Sequence, residues 1–136
     1  MNVTRRHFVK AAAATVAAGL ALPLAADGNI PRQESREIYL PDLLPAHDGL
    51  KVAQLSDLHV GPRTPTKLLR LAIEMVNNQA PDLVVLTGDY LCADRRGVGL
   101  IGEELGGLRA PTVAVLGNHD HRVDPRGARV ALERLG

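Results

Sequence analysis

The chain has 136 residues, 46% hydrophobic and 23% charged, a composition that buries a core and excludes a disordered polyampholyte. Sixteen Lys/Arg face fifteen Asp/Glu, and the balance falls to −2 once Arg5, Arg6 and Lys10 near the amino terminus are set aside, which leaves no nucleic-acid footprint. One Cys, no Trp, one Phe and two Tyr exclude a disulfide framework, a Cys-rich zinc site and an aromatic stacking platform.

Residues 1–26 read as an export signal. Residues 1–10 are short and basic. Residues 11–26 carry no charge and are mostly Ala, Leu and Val. That run is shorter than the ~20 residues that span a bilayer. Pro23 breaks the helix near its end, and Ala25 and Ala26 offer a cleavage site, although the −3 position is Pro23 or Leu24. The run Thr4-Arg5-Arg6-His7-Phe8-Val9-Lys10 resembles the bacterial twin-arginine motif, in which Arg5 and Arg6 are read by the export machinery. The resemblance implies a protein of the periplasm or of the outer face of the cytoplasmic membrane. An uncleaved signal is the alternative, and it would leave the domain membrane-associated.

Residues 27–35 are polar, contain Gly28 and Pro31, and read as a linker. Residues 36–136 form a single domain. Residues 37–40 predict a short strand, at an edge because Pro41 and Pro45 follow. Residues 51–55 predict the next strand. Thr66 caps a helix to about Asn78, with Leu68, Leu71, Ala72, Met75 and Val76 at helical spacing. Residues 82–87 form a continuous apolar run, expected of a strand buried on both faces. Leu100, Ile101, Leu105 and Leu108 suggest a second helix, weakened by Gly102, Gly106 and Gly107. Residues 112–116 predict another buried strand, and residues 125–135 a third helix. Alternating strand and helix imply an α/β fold, a parallel sheet with helices on its faces. The chemistry of such sheets collects past the carboxyl ends of the strands.

Three polar motifs stand there: Ser56-Asp57-Leu58-His59, Gly88-Asp89-Tyr90 and Gly117-Asn118-His119-Asp120. Asp57 and Asp89 are 32 residues apart, Asp89 and Asn118 are 29 apart, and one strand–helix–strand unit takes about 30. Each motif alone reads as a turn. Recurring once per crossover, they converge on one edge of one sheet. Carboxylate, imidazole and amide oxygen donors suit divalent ions of the Mn, Fe or Zn class. Gly88 and Gly117 let the backbone turn sharply, so that the next residue points into the site.

Together these motifs resemble the first three motifs of the calcineurin-like metallophosphoesterases. The phrase Gln54-Leu55-Ser56-Asp57-Leu58-His59 and the signal are similar to the exported bacterial branch of that superfamily. The resemblance implies the amino-terminal half of a metallophosphoesterase-like α/β sandwich, with metal ligands at the strand carboxyl ends. It further implies a phosphodiesterase or phosphomonoesterase acting on a phosphoester substrate with two divalent metal ions. Asp57 and His59 would bind the first ion, Asp89 would bridge, and Asn118 would bind the second. A hydroxide held by the two ions would attack phosphorus. His119 would assist the leaving oxygen, and Asp120 would orient His119 through its other ring nitrogen.

Complete members of that family carry further histidines, one alone and then a Gly-His-x-His motif. After the third motif this sequence has only His121, while His47 and His7 precede the first. The expectation is therefore a truncated phosphoesterase domain. Two alternatives stand beside an active enzyme: a non-catalytic fragment, and an exported metal- or phosphate-binding module. Arg63 and His121 are expected at the substrate cleft. Arg95-Arg96 reads as a solvated loop, Cys92 as a small buried residue and Tyr90 as packing.

Overall fold

The computed structural model describes residues 7–10 as backbone, together with residues 30–61 and 64–135. Arg5, Arg6, the apolar run of the signal and Arg63 lie outside the described residues. In chain order come strands β1 (His7–Lys10), β2 (Glu37–Tyr39) and β3 (Val52–Leu55), helix α1 (Thr66–Asn78), strand β4 (Leu83–Leu86) and helix α2 (Gly97–Leu105). Strand β5 (Thr112–Ala114) and helices α3 (Asn118–Val123) and α4 (Pro125–Glu133) follow. A 3-10 turn at Pro45–His47 precedes β3.

Strands β3, β4 and β5 form a parallel sheet in that order, with Ala53 opposite Val84 and Val84 opposite Thr112. Asp82 sets the start of the register: its Oδ2 accepts from the Lys51 N–H at 2.7 Å, and its own N–H donates to the Lys51 carbonyl at 2.9 Å. Strands β1 and β2 pair antiparallel in a separate two-stranded ribbon. The expected edge strand is thus present, but it stands apart from the main sheet.

Val84 and Leu86 are fully buried and share one core with Leu69, Ile73 and Val76 of α1, Ile101 and Leu105 of α2, and Ala128 and Ala131 of α4. The buried stripe of α1 is rotated from the expected one. Leu71 is exposed, and Leu69 and Ile73 face inward. Thr66 is the first helical residue rather than the cap; Pro65 holds the cap position without a side-chain hydrogen bond. Asn77 ties the end of α1 to the approach to β5, donating to the Gly107 carbonyl at 2.8 Å and accepting from the Arg109 N–H at 3.1 Å. Between α1 and α2, Arg70 donates to both oxygens of the buried Glu104 at 2.7 and 2.8 Å, and holds that carboxyl below its usual range.

The apolar runs imply burial on both faces of the sheet, and the structure corrects this. Gln54, Val85 and Val113 are in register on one face of the sheet. Gln54 is exposed there, and Val113 and Val115 are 52% and 60% exposed. The strand order advances in one direction, and crossovers of the same hand then place both connecting helices on the same face. Among the described residues the outward face of β5 is about half exposed, so an apolar strand composition coexists with exposure.

Candidate metal centre

The pairing of the strands continues past their carboxyl ends. The Asp57 N–H donates to Gly88 O at 3.1 Å, the His59 N–H to Asp89 O at 2.9 Å and the Val60 N–H to Tyr90 O at 2.6 Å. Along this line Asp57, His59 and Asp89 hold left-handed φ values of 54°, 44° and 56°. Asp and His tolerate that region better than most residues, but it still costs on the order of 1–3 kcal/mol at each position. Backbone strain is therefore concentrated on three of the residues singled out from sequence.

Gly88 and Gly117 do different jobs. Gly88 has φ +100°, a conformation that favours glycine, and a Cβ there would overlap the backbone of Leu116 and Gly117. Gly117 has φ −90° and ψ 179°, open to any residue. It is needed because a Cβ would collide with the backbone N and the carboxylate of Asp89. The second and third motifs thus meet backbone against backbone, which brings Asp89 beside α3.

The ligand atoms of His59, Asp89 and His119 lie within 4.8 Å of one another. The two rings meet edge to face, with centroids 4.9 Å apart and planes at 78°. His59 Nδ1 is 3.2 Å from Leu91 O and His119 Nδ1 is 3.1 Å from Cys92 O. A carbonyl only accepts, so each Nδ1 carries a proton, and in the neutral ring Nε2 is the nitrogen with the lone pair. This tautomer is the one a metal ligand needs, with its other nitrogen anchored. Asp89 Oδ1 accepts from the backbone N–H of His119 at 2.9 Å, which fixes the carboxylate against the main chain at the start of α3. Two imidazoles and a carboxylate fit a divalent ion of the Mn, Fe or Zn class.

The remaining expected residues fall at different distances. Asp57 has a 65% exposed side chain, and its Oδ1 lies 3.9 Å from His59 Nε2. Asn118 opens α3 and is exposed, as is His121 on the same helix. Cys92 is buried, as expected. Arg95 pairs with Asp124 at 3.4 Å, and Arg96 pairs with Asp94.

Asp120 is not the partner of the His119 ring. It is fully buried, and its oxygens accept from three backbone N–H groups: Asp89 at 2.8 Å, Leu91 at 2.8 Å and Gly117 at 2.9 Å. The ring instead uses the Cys92 carbonyl. Asp120 belongs to a short helix where the sequence suggests a turn, and its place three residues after the cap turns its carboxylate back toward Gly117. Tyr90, also fully buried, does more than pack. Its hydroxyl donates to one of two facing carbonyls, Leu86 O at 3.1 Å and Val115 O at 2.9 Å, and so bridges β4 and the segment after β5. Burial, and secondarily the charge of Asp120, push the phenol up to about 12. The anchoring carbonyls of Leu91 and Cys92 carry no side-chain signal that sequence could supply.

A parallel α/β sheet with imidazole and carboxylate donors beyond its strand ends defines a metal-binding α/β domain. The family model for calcineurin-like phosphoesterase matches residues 50–135, and the chain belongs to that metal-dependent family. It is 38% identical over 76 residues to UDP-2,3-diacylglucosamine pyrophosphatase LpxG of Chlamydia muridarum, covering 54% of this chain and 23% of that protein. It is 32% identical over 127 residues to phosphodiesterase YaeI of Escherichia coli, covering 89% and 46% respectively. It is 32% identical over 87 residues to a transmembrane protein with metallophosphoesterase domain of Bos taurus, covering 62% and 20%. The chain thus spans less than half the length of each of these relatives. No solved structure matches it. Among the described residues no helix is long and apolar enough to cross a membrane.

Proposed function

We propose that the chain supplies the metal-binding part of a hydrolase that cleaves a phosphoester, outside the cytoplasmic membrane, with two divalent ions as cofactors. The observation that carries this reading is the convergence of His59, Asp89 and His119 within 4.8 Å, on a backbone strained at Asp57, His59 and Asp89. Bound divalent ions would polarise phosphoryl oxygens and bring the pKa of water near 7. In this reading Asp57 and His59 would hold one ion, Asp89 would be shared between the two, and Asn118 would serve the second. Backbone N–H and C=O partners fix the carboxylate of Asp89 and the rings of His59 and His119 before any ion arrives, so little reorganisation accompanies binding. Relatives named pyrophosphatase and phosphodiesterase support a substrate in which phosphorus carries a substituted oxygen. The twin-arginine segment supports export, with the export machinery as a partner.

Hydrolysis of bis(p-nitrophenyl) phosphate and of p-nitrophenyl phosphate, each with Mn, Fe or Zn ions, tests the reading. Turnover should require the metal, and Asp89→Asn should lower it by at least about 100-fold. A folded chain that turns over neither ester with any of the ions would overturn the reading.

A further inference from the structure

We infer that Ser56 is a positioning residue of the metal centre. Its hydroxyl occupies one carboxylate oxygen of Asp57 and leaves the other turned toward His59, so that Asp57 meets its ion through a single oxygen. The inference rests on the proposed function in taking Asp57 and His59 as ligands of one ion. Ser56 opens the first motif but has no part in the ligand set itself.

Three observations carry it. First, the Ser56 hydroxyl donates to Asp57 Oδ2 at 2.5 Å. That separation lies in the short range of a charge-assisted O–H···O⁻ bond. Second, the other oxygen, Oδ1, lies 3.9 Å from His59 Nε2. Donors ~2.0–2.2 Å from a shared ion are at most about 4.4 Å apart, so one ion can span this oxygen and this nitrogen. The two oxygens of Asp57 therefore have separate duties. Third, the Asp57 carboxylate has no other fastening. Main-chain carbonyls anchor the His59 and His119 rings, and a backbone N–H holds the Asp89 carboxylate. The Asp57 side chain is 65% exposed, and among the described residues Ser56 is the only hydrogen-bond donor to its carboxylate. The backbone of Asp57 is set by its N–H to Gly88 O at 3.1 Å, which leaves the rotation of the carboxylate as the freedom still to be removed. Without the hydroxyl that group would turn freely, and both oxygens would compete for the ion.

The test is calorimetric titration of the full chain with Zn(II) and Co(II), alongside the visible spectrum of the Co(II) form. Ser56→Ala should weaken binding by about ten-fold and alter the Co(II) spectrum. Ser56→Thr, which keeps the hydroxyl, should restore both. The double variant Ser56→Ala/Asp57→Ala should bind no more weakly than Asp57→Ala alone, because the hydroxyl acts only through that carboxylate. Ser56 is exposed, so the metal-free Ser56→Ala chain should melt with the parent. Unchanged affinity and spectrum in Ser56→Ala, with affinity lost in Asp57→Ala, would overturn the inference while leaving the phosphoesterase reading intact. A Ser56→Thr chain as weak as Ser56→Ala would overturn it too, as would a further loss in the double variant. A parent chain that binds neither ion would overturn both.

Discussion

Replacing Gly88 by alanine should separate the two loops that carry Asp89 and His119. At φ +100° a side chain is strained, at about 1–2 kcal/mol. The new methyl would also press into the backbone of Leu116 and Gly117, which cannot rotate away as a side chain does. Overpacking of that kind adds about 1–3 kcal/mol. The sum is about 2–5 kcal/mol, a large share of the ~5–15 kcal/mol that holds a typical domain together. Gly99 provides the internal control. It lies inside α2, and a methyl added there would meet nothing within 4 Å. Gly99→Ala should therefore stabilise by about 0.5–1 kcal/mol. Urea unfolding followed by circular dichroism gives both values against the unmutated chain. For a domain of this size Gly88→Ala should lower the melting temperature by ~10 °C or more. A Gly88→Ala variant within about 0.5 kcal/mol of the parent would refute the reasoning, because it would mean that the two loops do not meet backbone on backbone.

Two further substitutions test the supports of the site. Asp120→Asn keeps one acceptor oxygen but turns an amide toward the N–H groups of Asp89, Leu91 and Gly117, and should cost about 3 kcal/mol in urea unfolding; unchanged stability would show that Asp120 is not what pairs those three amides. Tyr90 should ionise near pH 12, and Tyr90→Phe should remove that step from the absorbance titration. Because the folded pKa is raised, the stability linked to Tyr90 is complete below the ordinary pKa near 10 and is lost as pH rises through about 12. A Tyr90 that ionises near the ordinary pKa of about 10 would contradict the buried hydroxyl.

What is legible in the sequence follows from what side chains alone encode. Apolar periodicity and Pro81 mark the bounds of α1 and the three parallel strands, and their order places the three motifs at one sheet edge. The exposure of β5 is hidden because Thr112-Val113-Ala114-Val115 is apolar whether or not a layer covers it. The stripe of α1 is ambiguous by about one position because Leu68 and Leu69, like Ala72 and Ile73, are equally apolar, and only packing decides between neighbours. Helix α3 resembles a turn because six residues with two histidines and one acid hold little helical signal. The duty of Asp120 leaves no trace in the sequence because its partners are backbone amides from separate segments.

Those amides explain how a metal site can be shaped ahead of its metal. Asp57, His59 and Asp89 sit where an isolated peptide would seldom stay. They are held there by N–H and C=O groups of the main chain, from the Asp57–Gly88 and His59–Asp89 pairs to the two carbonyls behind the imidazoles. Asp120 and the Tyr90 hydroxyl fasten the same segments from beneath, and both residues are fully buried. None of these supports depends on the donor atoms that face the ion. Truncating His59 should therefore lower affinity for the metal while the loops keep their course. Altering Gly88, Gly117 or Asp120 changes the course of the loops and carries the donors apart together. The division between atoms that bind and atoms that position runs, at this site, largely between side chain and main chain.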